Sequence, residues 1–278
     1  MKDNNRPEHS ALGKETQYEA IYNPALLFPI ARKTKRDEIG ITGILPFVGV
    51  DIWNHYEVSW LNQRGKPMVA IAEIRYDCAS SYIIESKSLK LYFNSLNNTV
   101  FESVTAVEAL VQRDLIDRLC TTAVMVSITL ISHYSATMLQ RCLPGYSIDE
   151  LDVECTAYTV NPASLITEEH FTEETLCTDL LKSNCLITHQ PDWCSVQIHY
   201  RGRQINHAGL LRYIVSFRNH NEFHEQCIEK IFMHIVERCR PEVLTVYGRS
   251  TRRGGVDINA YRSTEPLTTV PNQRLCWQ

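Results

Sequence analysis

Cys185 and Asp192 stand seven residues apart, separated by the short irregular segment Leu186-Ile187-Thr188-His189-Gln190-Pro191. A thiol and a carboxyl group at that spacing could act as nucleophile and proton carrier, because thiolate is the reactive form of cysteine and a nearby acceptor helps to produce it. A strand pattern begins at Trp193, where Val196, Ile198 and Tyr200 alternate with Ser195, Gln197 and His199. Reactive groups are often carried on loops anchored by a sheet. The same residues also read as a small buried hydrophobe in a turn followed by an exposed aspartate. The pair alone does not choose between these.

Three further stretches carry groups of interest: Glu85-Ser86-Lys87-Ser88-Leu89-Lys90-Leu91-Tyr92, Phe223-His224-Glu225-Gln226-Cys227 and Arg252-Arg253-Gly254-Gly255. Each has an ordinary reading. Glu85 is a solvated charge before a helix, and Glu225 an acid favoured in a first turn by the helix dipole. His224 is a surface histidine, Phe223 a core residue, and Lys87, Arg252 and Arg253 are ordinary surface charge beside the neutral hydroxyl of Ser86. No G-x-G-x-x-G follows a strand, so a Rossmann dinucleotide site is not supported.

Taken together and in this order, the four blocks resemble the NADPH-dependent nitrile reductases that convert 7-cyano-7-deazaguanine to 7-aminomethyl-7-deazaguanine. The likeness covers nearly the whole chain and suggests the longer, two-module form of that family. It implies that Cys185 adds to the nitrile as a covalent thioimide nucleophile and that Asp192 is the proton donor. It implies that Ile83, Ile84, Glu85, Phe223, His224 and Glu225 bind the substrate, with the two carboxylates accepting N–H groups of the guanine-like edge. Ser86, Lys87, Arg253 and Gly254 are implied at NADPH, which is spent twice per nitrile. A homodimer and a place in the biosynthesis of queuosine, a modified tRNA nucleoside, follow from the same likeness. Cys227 continues an apolar helix face; beside the pocket it is also a candidate partner for Cys185 in a protective disulfide, given Cα atoms within about 7 Å.

Composition narrows the rest. The net charge of −4 argues against a nucleic-acid or anionic-membrane surface, and no apolar run is long enough to span a bilayer. The ten cysteines form no C-x-x-C pair, and His220 and His224 have no third ligand at metal-binding spacing, so neither a metal site nor a disulfide framework is expected. Met1-Lys2-Asp3-Asn4-Asn5-Arg6-Pro7 lacks the apolar core of a signal peptide, which points to the cytoplasm.

Residues up to about Glu38 read as a capping extension, with Arg32-Lys33-Thr34-Lys35-Arg36 as solvated surface. Strands are expected near 51–61 and 68–76, joined by a turn at Arg64-Gly65-Lys66-Pro67. Helices are expected over 86–96 and 103–119, then strands over 126–130 and 151–156. The segment 161–181 reads as a polar connection with at most a short helix. Helices over 207–217 and 222–239 and a strand over 243–249 then repeat the earlier order. The fold class is α+β: two antiparallel sheets, each backed by two helices. The resemblance makes these two tandem tunnelling-fold modules, 1–160 with its N-terminal extension and a catalytic 183–278, joined by a linker at 161–182.

Three rivals remain. Another tunnelling-fold purine or pterin enzyme shares a base-anchoring glutamate, but a cyclohydrolase wants zinc ligands. A non-catalytic module that binds a modified base would not consume NADPH, and a thiol peroxidase using Cys185 would need no base-binding glutamate.

Overall fold

Alternating apolar and polar residues dominate the chain from Val48 to Asp77, and they pair as strands about a tight turn. The structure, a computed structural model, describes residues 6–12, 14, 18–19, 21–134, 139–266 and 269–278. In chain order the elements are β1 (Pro29–Ala31), α1 (Lys33–Glu38), β2 (Val48–Leu61), β3 (Pro67–Asp77), β4 (Tyr82–Ile84), α2 (Ser86–Ser95), α3 (Val104–Leu119), β5 (Val124–Leu130), β6 (Tyr146–Ser147), β7 (Thr167–Asn184), β8 (Pro191–Ile205), α4 (His207–Val215), α5 (His224–Cys239), β9 (Val243–Ser250) and β10 (Val256–Ser263). The class is α+β. The chain divides into two compact units, one of Met1–Lys35, Asp51–Ala136 and Arg252–Asp257, the other of Arg36–Val50, Thr137–Thr251 and Ile258–Gln278.

In the first unit the strands lie in the order β5-β3-β2, and β3 pairs antiparallel with β5 from Ala70↔Leu130 to Tyr76↔Val124. The turn between β2 and β3 closes where Asn62 N–H donates to Lys66 O at 2.9 Å, with Gly65 at φ +74°. Helix α3 begins where Ser103 Oγ accepts the Ala106 N–H at 3.1 Å, and it buries Val107, Val111, Leu115 and Leu119. Arg32 was expected at the surface but is 2 % exposed. Its guanidinium meets the buried Asp51 carboxylate at 2.5 Å and Ser80 Oγ at 3.2 Å. A buried arginine is tolerable only with such a partner.

The second unit is built on a hairpin. β7 pairs antiparallel with β8 from Thr167↔Ile205 to Asn184↔Pro191, and the ladder continues through β9 to β10. The polar connection expected over 161–181 is therefore wrong for most of its length. Its acidic composition hid a strand because the partners are polar too: Glu173 stands opposite Arg201, and Glu174 opposite Tyr200. Such cross-strand pairs stabilise a ladder without an apolar face. Conversely, burial alternates along 151–156 as a strand would require, yet that segment joins no sheet.

Helix α5 packs on β9 and β8 through Ile228, Ile231, Phe232 and Ile235. Its Glu229, 1 % exposed, accepts from Arg36 at 2.7 and 2.9 Å and from Arg262 at 2.8 and 3.1 Å. Phe47 lies against both guanidiniums, 5.8 Å from Arg36 and 5.6 Å from Arg262, and edge-on to Phe232 at 5.2 Å. Arg36, like Arg32, is thus buried rather than solvated. Glu229→Ala removes the carboxylate that both guanidiniums share, so it should cost about 3–5 kcal/mol of stability. Urea denaturation measures this, and a loss below about 1 kcal/mol would show the clamp to be no stronger than a surface ion pair.

Candidate active site

Cys185 directly follows β7, and Asp192 is the second residue of β8 opposite Ser183, so both lie at the closed end of the hairpin. The intervening loop is cross-braced. Cys185 N–H donates to Gln190 O at 2.8 Å, and His189 N–H donates to Cys185 O at 3.1 Å with His189 in the left-handed region at φ +56°. Cys185 is 2 % exposed and Asp192 6 %. Asn184 ties this end of the hairpin to the approach of α5, donating to His220 O at 2.8 Å and accepting from Glu222 N–H at 3.0 Å.

The first turn of α5 supplies the other groups. His224 Nε2 lies 3.9 Å from Asp192 Oδ1, while its Nδ1 shares a 2.8 Å hydrogen bond with Ser250 Oγ at the end of β9. Glu225 is 1 % exposed, and Phe223, at the helix N-cap, provides no side-chain cap. An acid in that turn opposes the positive end of the helix dipole, so the carboxylate is favoured there before any ligand arrives. Cys227 is buried, and its thiol is pushed well up by desolvation and then by the neighbouring Cys194. Cys185 and Cys227 are both free thiols. The second unit thus brings Cys185, Asp192, Phe223, His224 and Glu225 to one end of a hairpin–helix pair.

The first unit holds the remaining candidates. Ile83 and Ile84 are 1 % and 2 % exposed in β4, which pairs with β1. Glu85 caps α2, its two carboxylate oxygens accepting Lys87 N–H at 2.7 Å and Ser88 N–H at 2.8 Å. It is buried, not the solvated charge of the ordinary reading. Desolvation raises its pKa, against the lowering effect of those two N–H groups. Lys87 Nζ donates to the carbonyls of Ala11 at 2.9 Å and Lys14 at 2.8 Å, and an ammonium has three donors.

Arg253 and Val256 close a tight turn whose central residues, Gly254 and Gly255, have φ +57° and +79°. Two consecutive positive φ angles make the mirror-image turn that glycine favours. A methyl group at Gly254 would sit 2.3 Å from Lys90 Nζ, so the turn lies directly against α2. Sequence reasoning missed Lys90, which stands one helical turn beyond Ser86 and Lys87 on α2. It is half-buried, and no carboxylate among the described residues pairs with it. The spacing of Lys87 and Lys90 was the available signal, since residues three apart share a helix face. Arg252 lies 4.8 Å over the Tyr56 ring. Among the described residues no cluster of three or more His, Cys, Asp or Glu side chains is arranged to hold a metal ion.

Comparison with known proteins gives two family matches. Residues 18–128 match the family described as "Nitrile reductase, 7-cyano-7-deazaguanine-reductase N-term", and residues 191–268 match that described as "QueF-like protein". Three relatives are each described as an NADPH-dependent 7-cyano-7-deazaguanine reductase. The chain is 55 % identical to that of Legionella pneumophila (strain Lens) over 94 % of this chain and 92 % of the relative. It is 53 % identical to that of Burkholderia multivorans over 98 % and 99 %. For Polaromonas sp. the figures are 51 %, 99 % and 100 %.

His55, also missed from sequence, bridges the first unit's candidate groups. Its Nδ1 lies 3.2 Å from Gly255 O, and its ring lies 4.5 Å from that of Phe93 on α2. Burial holds its pKa down at about 4 against the usual 6.5. The Gly255 carbonyl opposes this, and the Lys90 charge reinforces it. Between those two pH values the unfolded chain binds a proton that the folded protein refuses. Stability should therefore fall as pH drops from 6.5 towards 4, by on the order of 3 kcal/mol in all. His55→Phe should remove that component from unfolding free energies measured against pH. An identical slope in the variant would assign the titration to another group.

Proposed function

The chain belongs to the family of NADPH-dependent 7-cyano-7-deazaguanine reductases, and on that premise we propose that it reduces the nitrile of 7-cyano-7-deazaguanine to the aminomethyl group through a covalent adduct on Cys185. The observation that carries the reading is the grouping of a buried thiol, a buried carboxyl group, His224 and Glu225 at the end of one hairpin and the first turn of one helix.

A nitrile carbon is electrophilic but slow towards hydride. Addition of the Cys185 thiolate makes a thioimide, and the nitrile nitrogen takes a proton from Asp192 as the S–C bond forms. NADPH supplies a hydride to each of two successive C=N bonds. Between the two, the thiolate of Cys185 leaves and the imine is held away from water. Glu225 accepts N–H donors of the pyrimidine edge in parallel, and Phe223 stacks on the ring. Glu85 has both oxygens engaged by the N–H groups of α2, so its contribution is to hold Ser86, Lys87 and Lys90 in place as well as to meet the base. The residues present fit a dinucleotide phosphate: Lys90 has no carboxylate partner among the described residues, Lys87 keeps a donor, and Gly254 is exposed beside Lys90.

The same reading includes two tandem tunnelling-fold modules, 1–160 and 183–278, and a cytoplasmic homodimer acting in queuosine biosynthesis. The repeated element order supports the modules: hairpin, two helices, strand in β2–β5 and again in β7–β9.

Oxidation of NADPH, followed by absorbance with 7-cyano-7-deazaguanine present, should consume two equivalents per nitrile; a binding module would consume none. Without NADPH, the nitrile should leave an adduct on Cys185 visible by intact mass. Cys185→Ala should form none, and full turnover by that variant would refute the mechanism. Asp192→Asn keeps the shape without the proton and should slow adduct formation by roughly a hundredfold or more. Glu225→Leu strands buried ligand N–H groups and should weaken substrate binding at least about tenfold. Unchanged affinity would assign the anchoring to another carboxylate.

A further inference from the structure

Ser250 ends β9, and beyond it the ladder to β10 is open, because the register between the two strands stops at Asn259↔Arg249. A side chain from the 269–278 segment fills the place. Gln278 Nε2 donates to Ser250 O at 2.9 Å and to Asn259 Oδ1 at 2.9 Å. Its Oε1 accepts from Arg249 Nε at 2.9 Å and from Leu275 N–H at 3.0 Å. Two donors and two acceptors use the full capacity of a primary amide. Gln278 is 5 % exposed, so this amide has one orientation and little freedom to leave it.

The other side of Ser250 is the hydrogen bond between its Oγ and His224 Nδ1. We propose that Gln278 is a positioning residue for His224, acting through Ser250, a role that rests on the reading of His224 and Asp192 as part of the reductase site. β8 holds this strand end from one edge, where Thr251 N–H donates to Trp193 O at 2.9 Å, and the Gln278 amide holds the same peptide by its carbonyl from the other, so the peptide fixes the hydroxyl. The hydroxyl bond at Nδ1, whichever atom carries its hydrogen, keeps the ring in one tautomer and holds Nε2 on the side of Asp192. The Nε2–Oδ1 separation of 3.9 Å is too long for a hydrogen bond, so a small rotation of the ring decides whether the pair closes when substrate arrives.

Arg249 strengthens the chain. It is 1 % exposed and is held by the neutral acceptors Tyr247 Oη at 2.6 Å, Asn272 Oδ1 at 2.9 Å and Gln278 Oε1, with no carboxylate partner among the described residues. A buried cation on the amide oxygen polarises the amide, which makes its N–H a stronger donor to Ser250. The segment has a second anchor, Trp277 Nε1 to Ser195 Oγ at 3.0 Å, which makes no hydrogen bond to Gln278, Ser250 or His224.

The test is steady-state nitrile reduction by the full-length protein, with the His224 tautomer followed by nitrogen NMR. Gln278→Ala should lower kcat about tenfold with little change in KM, the pattern of an interaction made in the transition state. It should also turn a single His224 tautomer into a mixture. In a Ser250→Ala background it should cost nothing further, since residues in one hydrogen-bonded chain are not additive. Gln278→Glu keeps the acceptor for Arg249 but loses the donor to Ser250, so it should fold and still show the loss; it serves if the alanine variant does not fold. Trp277→Phe should leave kcat unchanged. Wild-type kcat and tautomer in Gln278→Glu, losses additive with Ser250→Ala, or an equal loss in Trp277→Phe would each overturn the proposal. Failure of the wild-type protein to reduce the nitrile would refute the reductase reading, while the tautomer measurement would still judge the link from Gln278 to His224.

Discussion

Two guanidiniums, from α1 and β10, converge on the single carboxylate of Glu229 in the interior of the second unit. Placing three charged groups out of water is costly unless geometry and hydrogen bonding are nearly complete, so the arrangement has little tolerance for displacement. Glu229 lies one helical turn beyond Glu225, on the same side of α5. Whatever fixes the rotation of α5 at Glu229 therefore fixes the direction in which Glu225 and His224 leave its first turn. The paired backbone bonds of Asn184 then set the same helix end against the loop that carries Cys185. Reactive groups on a loop and on a helix terminus acquire a defined geometry from a charge cluster and a strand end.

The first unit works from the opposite direction. Its polar groups gather around the N-terminus of α2, whose cap is a glutamate rather than the usual Ser, Thr, Asp or Asn. Glu85 neutralises the helix end while Lys87 and Lys90 extend from the following turn, so negative and positive charge are separated along one element. The Gly254 turn lies directly against the Lys90 side chain.

Much of this was legible in the residues themselves. Apolar periodicity located α2, α3, α4 and α5 to within a few positions, because each has a stripe of buried residues at helical spacing. The blocks around Cys185, Glu85, Phe223 and Arg252 carried the likeness to the family. What escaped has a common physical origin, which is that partners distant in sequence decided the outcome. β7 is a strand because β8 presents Arg201 and Tyr200 to its glutamates. Arg32 and Arg36 are buried because Asp51 and Glu229 wait for them. His55 and Lys90 matter because a glycine turn some 160 residues or more away folds against them. A local pattern records a residue's own preference, and none of these residues is governed by that preference.

The double-glycine turn also limits how the protein can be redesigned. At Gly254 a side chain meets both a backbone angle that L-residues rarely adopt and the Lys90 ammonium, and at Gly255 it meets the Glu57 carboxylate. Substitutions at these two positions would strain the turn before they changed any charge around it. The neighbouring side chains Lys90, Arg252 and Arg253 are where diversity can be introduced without bending the main chain. A tight turn of this kind is fixed in shape by its own backbone angles, so change around it is confined to the charged side chains.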